Sequence, residues 1–240
     1  EFTMTNYRDD AYPEYETFKY PKVGEDNAIV TIHIYDVASG KTIQVDTGAE
    51  TDIYFPRIKW TKDPNQLCVF RMNRHQNHLE LLLANAQTGA TTLLMEEKNQ
   101  YYIDITDDLT FLEDGQHFIW TSEQSGFNHI YLYDLKGQVV RQLTNGDYDV
   151  TSFHGVDQKN KRIFYQSAEK SPLERQVYSL SLEGKDKKNL TPYAGTNRAQ
   201  FSSTFDYYVN THSTAERAAT YTVYDRSGKS IRVIEDNADM

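Results

Sequence analysis

"GFNHIYLYDLKGQVVRQLTNG", residues 126–146, reads as a strand, a polar turn closing on Gly137, and a second strand. Aromatic and β-branched residues fill both arms, and Gly supplies the positive φ that a tight hairpin turn requires. The same pattern stands at "HIYDVASGKTIQV" (33–45), "LLLANAQTGATTLLM" (83–95), "VYSLSLEGKDKKNLT" (177–191) and "TYTVYDRSGKSIRVIED" (220–236). The five turn glycines are Gly40, Gly89, Gly137, Gly184 and Gly228, separated by 49, 48, 47 and 44 residues. A period of this size with several short strands per repeat is the mark of a β-propeller.

Each interval holds two further strands before its hairpin. "YFPRIKW", the turn "TKDPNQ" and "LCVFRM" open the second repeat; "LTFLEDGQHFIWT", turning at Asp114-Gly115, opens the third. "FHGVDQKNKRIFYQ" and "AQFSSTFDYYVNTH" open the fourth and fifth. Four strands per repeat make one blade. Runs such as "LELLLAN" and "HIYLYD" lose strict alternation, as expected of inner strands buried on both faces. The expected fold is all-β: a partial β-propeller of about four and a half four-stranded blades, with a β-sandwich as the competing architecture. Residues 28–46 supply only half a blade, and an open ring leaves unpaired edges. The chain therefore reads as an arc of a larger propeller, cut from a longer protein at both ends.

The composition agrees. Among 240 residues, 38% are hydrophobic and 18 are Tyr, a residue that favours strands. The net charge of −10 argues against nucleic acid, whose phosphates attract clustered Lys and Arg. No apolar run approaches the ~20 residues of a membrane helix, and no signal peptide is visible. The single Cys68 lies in the strand-like "QLCVF" and reads as a buried, inert thiol. No metal-ligand spacing is present, so neither a metal nor a cofactor is expected. His75 and His78 read as a polar hairpin loop, and His129 as a satisfied strand residue. Glu174 and Arg175 read as members of structural ion pairs, and "NLT" (189–191) fits a glycosylation acceptor only as a short pattern.

Several segments in series carry a resemblance. "FKYPKVGEDNA" (18–28) resembles the Tyr-Pro-Lys-x-Gly segment of the dipeptidyl peptidase IV family. "GFNHIYLYD" (126–134) is similar to its Gly-aromatic-x-His-aliphatic-Tyr strand. "QLTNGDYDV" (142–150) resembles its Leu-Thr-x-Gly-x-Trp-x-Val turn, with Tyr148 in place of Trp, and "SPLERQVYSL" and "RVIEDN" match two more segments. The resemblance covers essentially the whole chain and suggests a bacterial member. It divides the sequence into an inter-strand segment, 1–27, containing YPKVG, and a partial propeller, 28–240.

The resemblance implies a serine exopeptidase that releases X-Pro or X-Ala dipeptides from free peptide N-termini. Its eight-bladed propeller would gate substrate and face a C-terminal α/β-hydrolase domain that holds the catalytic triad. No G-x-S-x-G elbow occurs here, so no catalytic residue is expected in this chain. The family's pair of ammonium-binding glutamates lies some tens of residues before the Tyr-Pro-Lys segment, and only about twenty residues precede Lys22. That pair is therefore expected outside the chain. Glu96-Glu97 reads instead as an acidic, water-facing doublet at an outer strand.

The family's strand leading into Phe-x-x-Asp-Gly lies along the second substrate residue. The matching stretch is "YYIDITDDLTFLEDG" (101–115), which nominates Tyr101, Tyr102 and Asp104 as substrate-proximal, although the family's Arg has no counterpart. Two other functions fit the sequence: a stand-alone propeller that binds a protein or glycan, and the propeller of a catalytically dead homologue. The lone Cys suits a bacterial cell-envelope enzyme, periplasmic or secreted. Partners implied are N-terminally free peptides and the parent's own hydrolase domain, with self-association through the open ends.

Overall fold

The structure, a computed structural model, describes residues 1–8 and 11–239. Every regular element among them is a β-strand, and the chain divides into two compact units.

The first unit comprises residues 1–58 and 67–103. It opens with β1 (Phe2–Asn6) and β2 (Glu14–Phe18), an antiparallel hairpin within the segment expected to run between strands. Phe2 and Phe18 meet edge-on at 5.8 Å, and the Lys22 ammonium stands 5.3 Å from the Phe2 ring. YPKVG ends in a turn, with Glu25 N–H donating to Lys22 O at 3.0 Å and Gly24 at φ 86°.

β3 (His33–Asp36) and β4 (Lys41–Gln44) form the expected half blade. The next blade has β5 (Ile53–Tyr54), β6 (Ile58–Trp60), β7 (Gln66–Asn73), β8 (His78–Asn85) and β9 (Thr91–Lys98). Both β5 and β6 pair with β7, as two halves of one inner strand. The break falls at Pro56, which has no N–H to give to the ladder. Ile34 and Val45 pack with Leu67, Val69 and Ala84 to form this unit's core. Cys68 is fully buried in β7. The Arg71 guanidinium grips Glu80 through two bonds of 2.8 and 2.9 Å and donates to Thr47 O at 2.6 Å.

The second unit comprises residues 59–66 and 104 onward. Its three blades are β10 (Thr110–Phe111), β11 (His117–Ser122), β12 (His129–Asp134), β13 (Val139–Gln142); β14 (Val150–Asp157), β15 (Arg162–Ser167), β16 (Gln176–Ser181), β17 (Lys188–Asn189); and β18 (Thr196–Phe201), β19 (Tyr207–Ser213), β20 (Thr220–Asp225), β21 (Ser230–Glu235). Each is an antiparallel four-stranded sheet in sequence order. The middle blade buries both faces. Ile163, Tyr165, Tyr178 and Leu180 pack on Ile119, Ile130 and Leu132 of the preceding blade. Phe164 and Val177, one residue out of phase, pack on Ala199, Tyr208 and Tyr224 of the following blade. Burying one such side chain contributes about 1.5–3 kcal/mol, so this two-sided packing is the main adhesive.

All five predicted turn glycines lie at positive φ, between 69° and 81°. Each turn also begins with a polar cap that the strand pattern did not reveal. Asp36, Asn85, Asp134, Ser181 and Asp225 each accept backbone N–H bonds from the turn that follows them. The ion-pair expectation at 174–175 is met only in part. Glu174 pairs with Lys170 at 3.4 Å, whereas the Arg175 guanidinium donates to the carbonyls of Pro172 and Glu174. Free carbonyls at a loop corner lie within its reach and compete with carboxylates for its fork of donors. In the "NLT" pattern, Thr191 is buried and its hydroxyl accepts the Val177 N–H at 2.8 Å, a latch between strands.

Candidate functional site

Residues 101–109 carry no strand, and the strand before the Asp-Gly turn is only Thr110–Phe111. Short polar side chains compete with the ladder here: the Thr106 hydroxyl accepts the Asp108 N–H at 3.4 Å, and the Asp108 carbonyl accepts from the Thr110 hydroxyl at 3.0 Å.

In the first unit, the β7–β8 loop positions the two tyrosines. Asn73 Oδ1 accepts the N–H groups of Asn77 and His78, both at 3.0 Å, and Gln76 takes φ 56° between them. Gln76 O then accepts the Ile103 N–H at 2.9 Å, and Ile103 is buried. The Tyr102 hydroxyl donates to Gln76 Oε1 at 3.4 Å, a long bond. Tyr101 is held by its backbone, through a 2.9 Å bond to Asn99 Oδ1. The rings remain open, Tyr101 79% and Tyr102 49% exposed. Two phenols beside an amide present apolar ring faces and hydrogen-bonding groups together. Asp104 belongs to the second unit, where it opens the segment from residue 104 onward, and is exposed. The buried Ile103 separates it in sequence from the tyrosine pair.

Within the second unit the stretch holds an acid that sequence reasoning missed. Asp108 is half-buried, and its Oδ2 accepts the Thr121 hydroxyl at 2.9 Å. Burial pushes its carboxyl above the ordinary range, partly offset by the Thr121 bond. Only the Asp107-Asp108 doublet marks it in the sequence.

Two of the histidines, His129 and His78, are engaged in structural bonds. Buried His129 has Nε2 at 3.0 Å from Gly146 O and Nδ1 at 3.1 Å from Thr144 Oγ1, while Thr144 Oγ1 accepts the Ile130 N–H. That set is satisfied by one neutral tautomer, with Nε2–H donating and Nδ1 accepting. His78 lies 3.0 Å from Glu96, which also pairs with Lys98 at 2.8 Å. These partners, Lys98 first, hold the exposed Glu96 carboxyl below its ordinary value. Glu96 and Glu97 lie within β9, and Glu96 faces Glu80 across the ladder. Among the described residues no three His, Cys, Asp or Glu side chains are grouped to hold a metal.

The family model for the dipeptidyl peptidase IV N-terminal region matches residues 1–218. The chain belongs to this family. It is 39% identical to dipeptidyl peptidase 4 of Porphyromonas gingivalis, whose crystal structure superposes with a TM-score of 0.89 over 99% of this chain and 34% of that one. A probable dipeptidyl peptidase 4 of Aspergillus flavus is 26% identical, covering 99% of this chain and 33% of its own length. Dipeptidyl peptidase 4 of Trichophyton rubrum is 28% identical, covering 83% and 27%. The chain thus spans about a third of the relatives it matches. Its four-stranded sheets are blades of the dipeptidyl peptidase IV propeller.

Proposed function

We propose that this chain is the gating and positioning wall of a dipeptidyl peptidase IV-type serine exopeptidase, which removes X-Pro and X-Ala dipeptides from free peptide N-termini. The observation that carries this reading is the agreement with the Porphyromonas gingivalis enzyme, in sequence and structure together, along 99% of the chain. The serine, its base and the oxyanion donors belong to a hydrolase domain in the parent protein. The propeller's part is geometric. It sets how far a peptide's ammonium lies from the nucleophile and so fixes the bond that is cut. Tyr101 and Tyr102 offer open phenols to the substrate side, and Asp104 adds a carboxylate near in sequence. The parent works in the periplasm or outside the cell.

Hydrolysis of a Gly-Pro-coupled chromophore by the parent protein and by this chain tests the reading. The parent is expected to be active and the chain silent. Silence in both would favour a binding propeller or a dead homologue, and activity in the chain would place the catalytic residues here. In an active parent, Tyr102→Ala is expected to raise KM several-fold more than it lowers kcat, as loss of a ground-state contact does.

A further inference from the structure

One face of β15–β16 carries three buried polar atoms without a hydrogen-bond partner, Tyr165 Oη, Ser167 Oγ and Gln176 Oε1, and beside them stands Glu169, whose carboxylate takes the Tyr148 hydroxyl but leaves Oε2 short of a close donor. Tyr165, Ser167 and Gln176 are wholly enclosed. Register brings them together. Tyr165 pairs with Tyr178 and Ser167 with Gln176 across the same two strands, and residues two apart share a face. The Tyr165 and Tyr178 rings stack at 5.5 Å, and both belong to the core shared with Ile130 and Leu132. Glu169, two residues beyond β15, lies close enough for its charge, after burial and Tyr148, to hold the Tyr165 phenol above its ordinary value. The other Glu169 oxygen pairs with Lys187, and Gln176 Nε2 is engaged by Glu174 at 2.7 Å and by Tyr193 O at 3.3 Å.

Buried polar groups are costly to leave unpaired, and three of them beside an incompletely bonded carboxylate call for a ligand. Their chemistry selects it. Two are hydroxyls with a proton to donate, and two are oxygens that only accept. A cation would satisfy the oxygens but leave both hydroxyl protons buried and unpaired. An anion would meet the Glu169 carboxylate. Water offers two protons and two lone pairs, and buried waters make about three such bonds.

We infer that this face of the junction is an internal water site, with ordered solvent accepting from Tyr165 and Ser167 and donating to Gln176 Oε1 and Glu169 Oε2. The site joins the ends of β15 and β16 to the loop carrying Glu169, and so to the neighbouring Tyr148, through hydrogen bonds that packing alone does not supply.

A crystal structure of the protein that resolves ordered solvent, with a second crystal soaked in rubidium, tests this. Water density within hydrogen-bond distance of Tyr165 Oη and Gln176 Oε1, without a rubidium peak, is the expected result. A rubidium peak, or the four groups bonded directly to one another with no density between them, would overturn it. In solution, Tyr165→Phe and Ser167→Ala are each expected to lower the folding equilibrium constant about fivefold. Together they should cost less than the product, because the first has already released the shared water. Effects that multiply fully would sink the site.

Discussion

At the scale of single residues, two glycines with similar backbone angles make opposite demands. Gly89 lies at φ 76°, and a Cβ there would stand 2.1 Å from the carbonyl oxygen of Gln44, a backbone atom that cannot rotate away. Gly115 lies at φ 64° with open space around it. Gly115→Ala should therefore cost only the strain of the left-handed conformation, about 1 kcal/mol. Gly89→Ala should cost about 3 kcal/mol or more, because the clash adds to the strain. Urea unfolding of the two variants checks this, and equal losses would refute the assigned contact. A second residue-scale effect is His154, whose ring lies 5.4 Å from Phe201 and whose Nε2 is buried without a partner. Burial holds its pKa down at about 4, against 6.5 unperturbed. A depressed pKa means that the unfolded chain binds the proton first, so the stability from this group is present above pH 6.5 and lost as pH falls towards 4. His154→Gln is expected to flatten that decline by on the order of 2–3 kcal/mol, measured as unfolding free energy across this window.

At the scale of elements, the recurring unit is a strand, a capped Gly turn and a second strand. Asp134 shows how the cap works: its Oδ1 accepts from Lys136 N and Gln138 N, both at 2.9 Å. Those bonds, the Gln138 one first, hold its carboxyl below the ordinary 3.8. The sign is again a loss of stability in acid, present above the unfolded value and lost as pH falls through the lowered one. Asp134→Ala should speed amide exchange at Lys136 and Gln138 near neutral pH, and unchanged protection there would show that the cap is idle. These turns explain why so much of the fold was legible. Gly at φ > 0 and flanking aromatics are local requirements, written in consecutive residues, and they gave both the spacing and the blade count. The caps also lie within one turn, but Asp, Asn and Ser fill so many polar stretches that only the bonds distinguish them. Residues 101–109 were misread as strand because their conformation is set by a distant carbonyl, that of Gln76, and by polar side chains that divert the backbone. The β1–β2 hairpin escaped notice because its five-residue strands are largely polar and exposed, so no buried face imposes a period. The tyrosine pair could be nominated only by resemblance, and Asp108 is distinguished only by its burial.

At the scale of the whole molecule, exposure is unevenly shared among blades that the sequence makes look equivalent. The third strands β12 and β16 both have the burial pattern of five enclosed residues and one partly open, whereas in β20 only Tyr224 is enclosed. Tyr224 faces the core of the middle blade. The opposite face of the last blade carries Tyr207, Val209, Tyr221 and Val223, placed side by side by the pairings Val209–Val223, Tyr207–Asp225 and Thr211–Tyr221. Tyr207 is 54% and Tyr221 37% exposed, and β21 is exposed along its whole length. Blades are held mainly by their neighbours, so a blade packed on one face opens more readily than one packed on two. Amides of β19 and β20 should exchange faster than those of β15 and β16 in the same hydrogen-exchange experiment. We propose that two copies of this chain meet through the open face, since burying Val223 and the two tyrosines would recover what the middle blade already gains from its own neighbours. The chain is accordingly expected to show a sedimentation mass that rises with concentration. Val223→Lys, which places an ammonium in the centre of that face, should return it to monomer with little change in the core. A mass independent of concentration in the unmodified chain would show that the face is too polar, with Arg198, Gln200 and Arg232 at its margins, to hold a second copy.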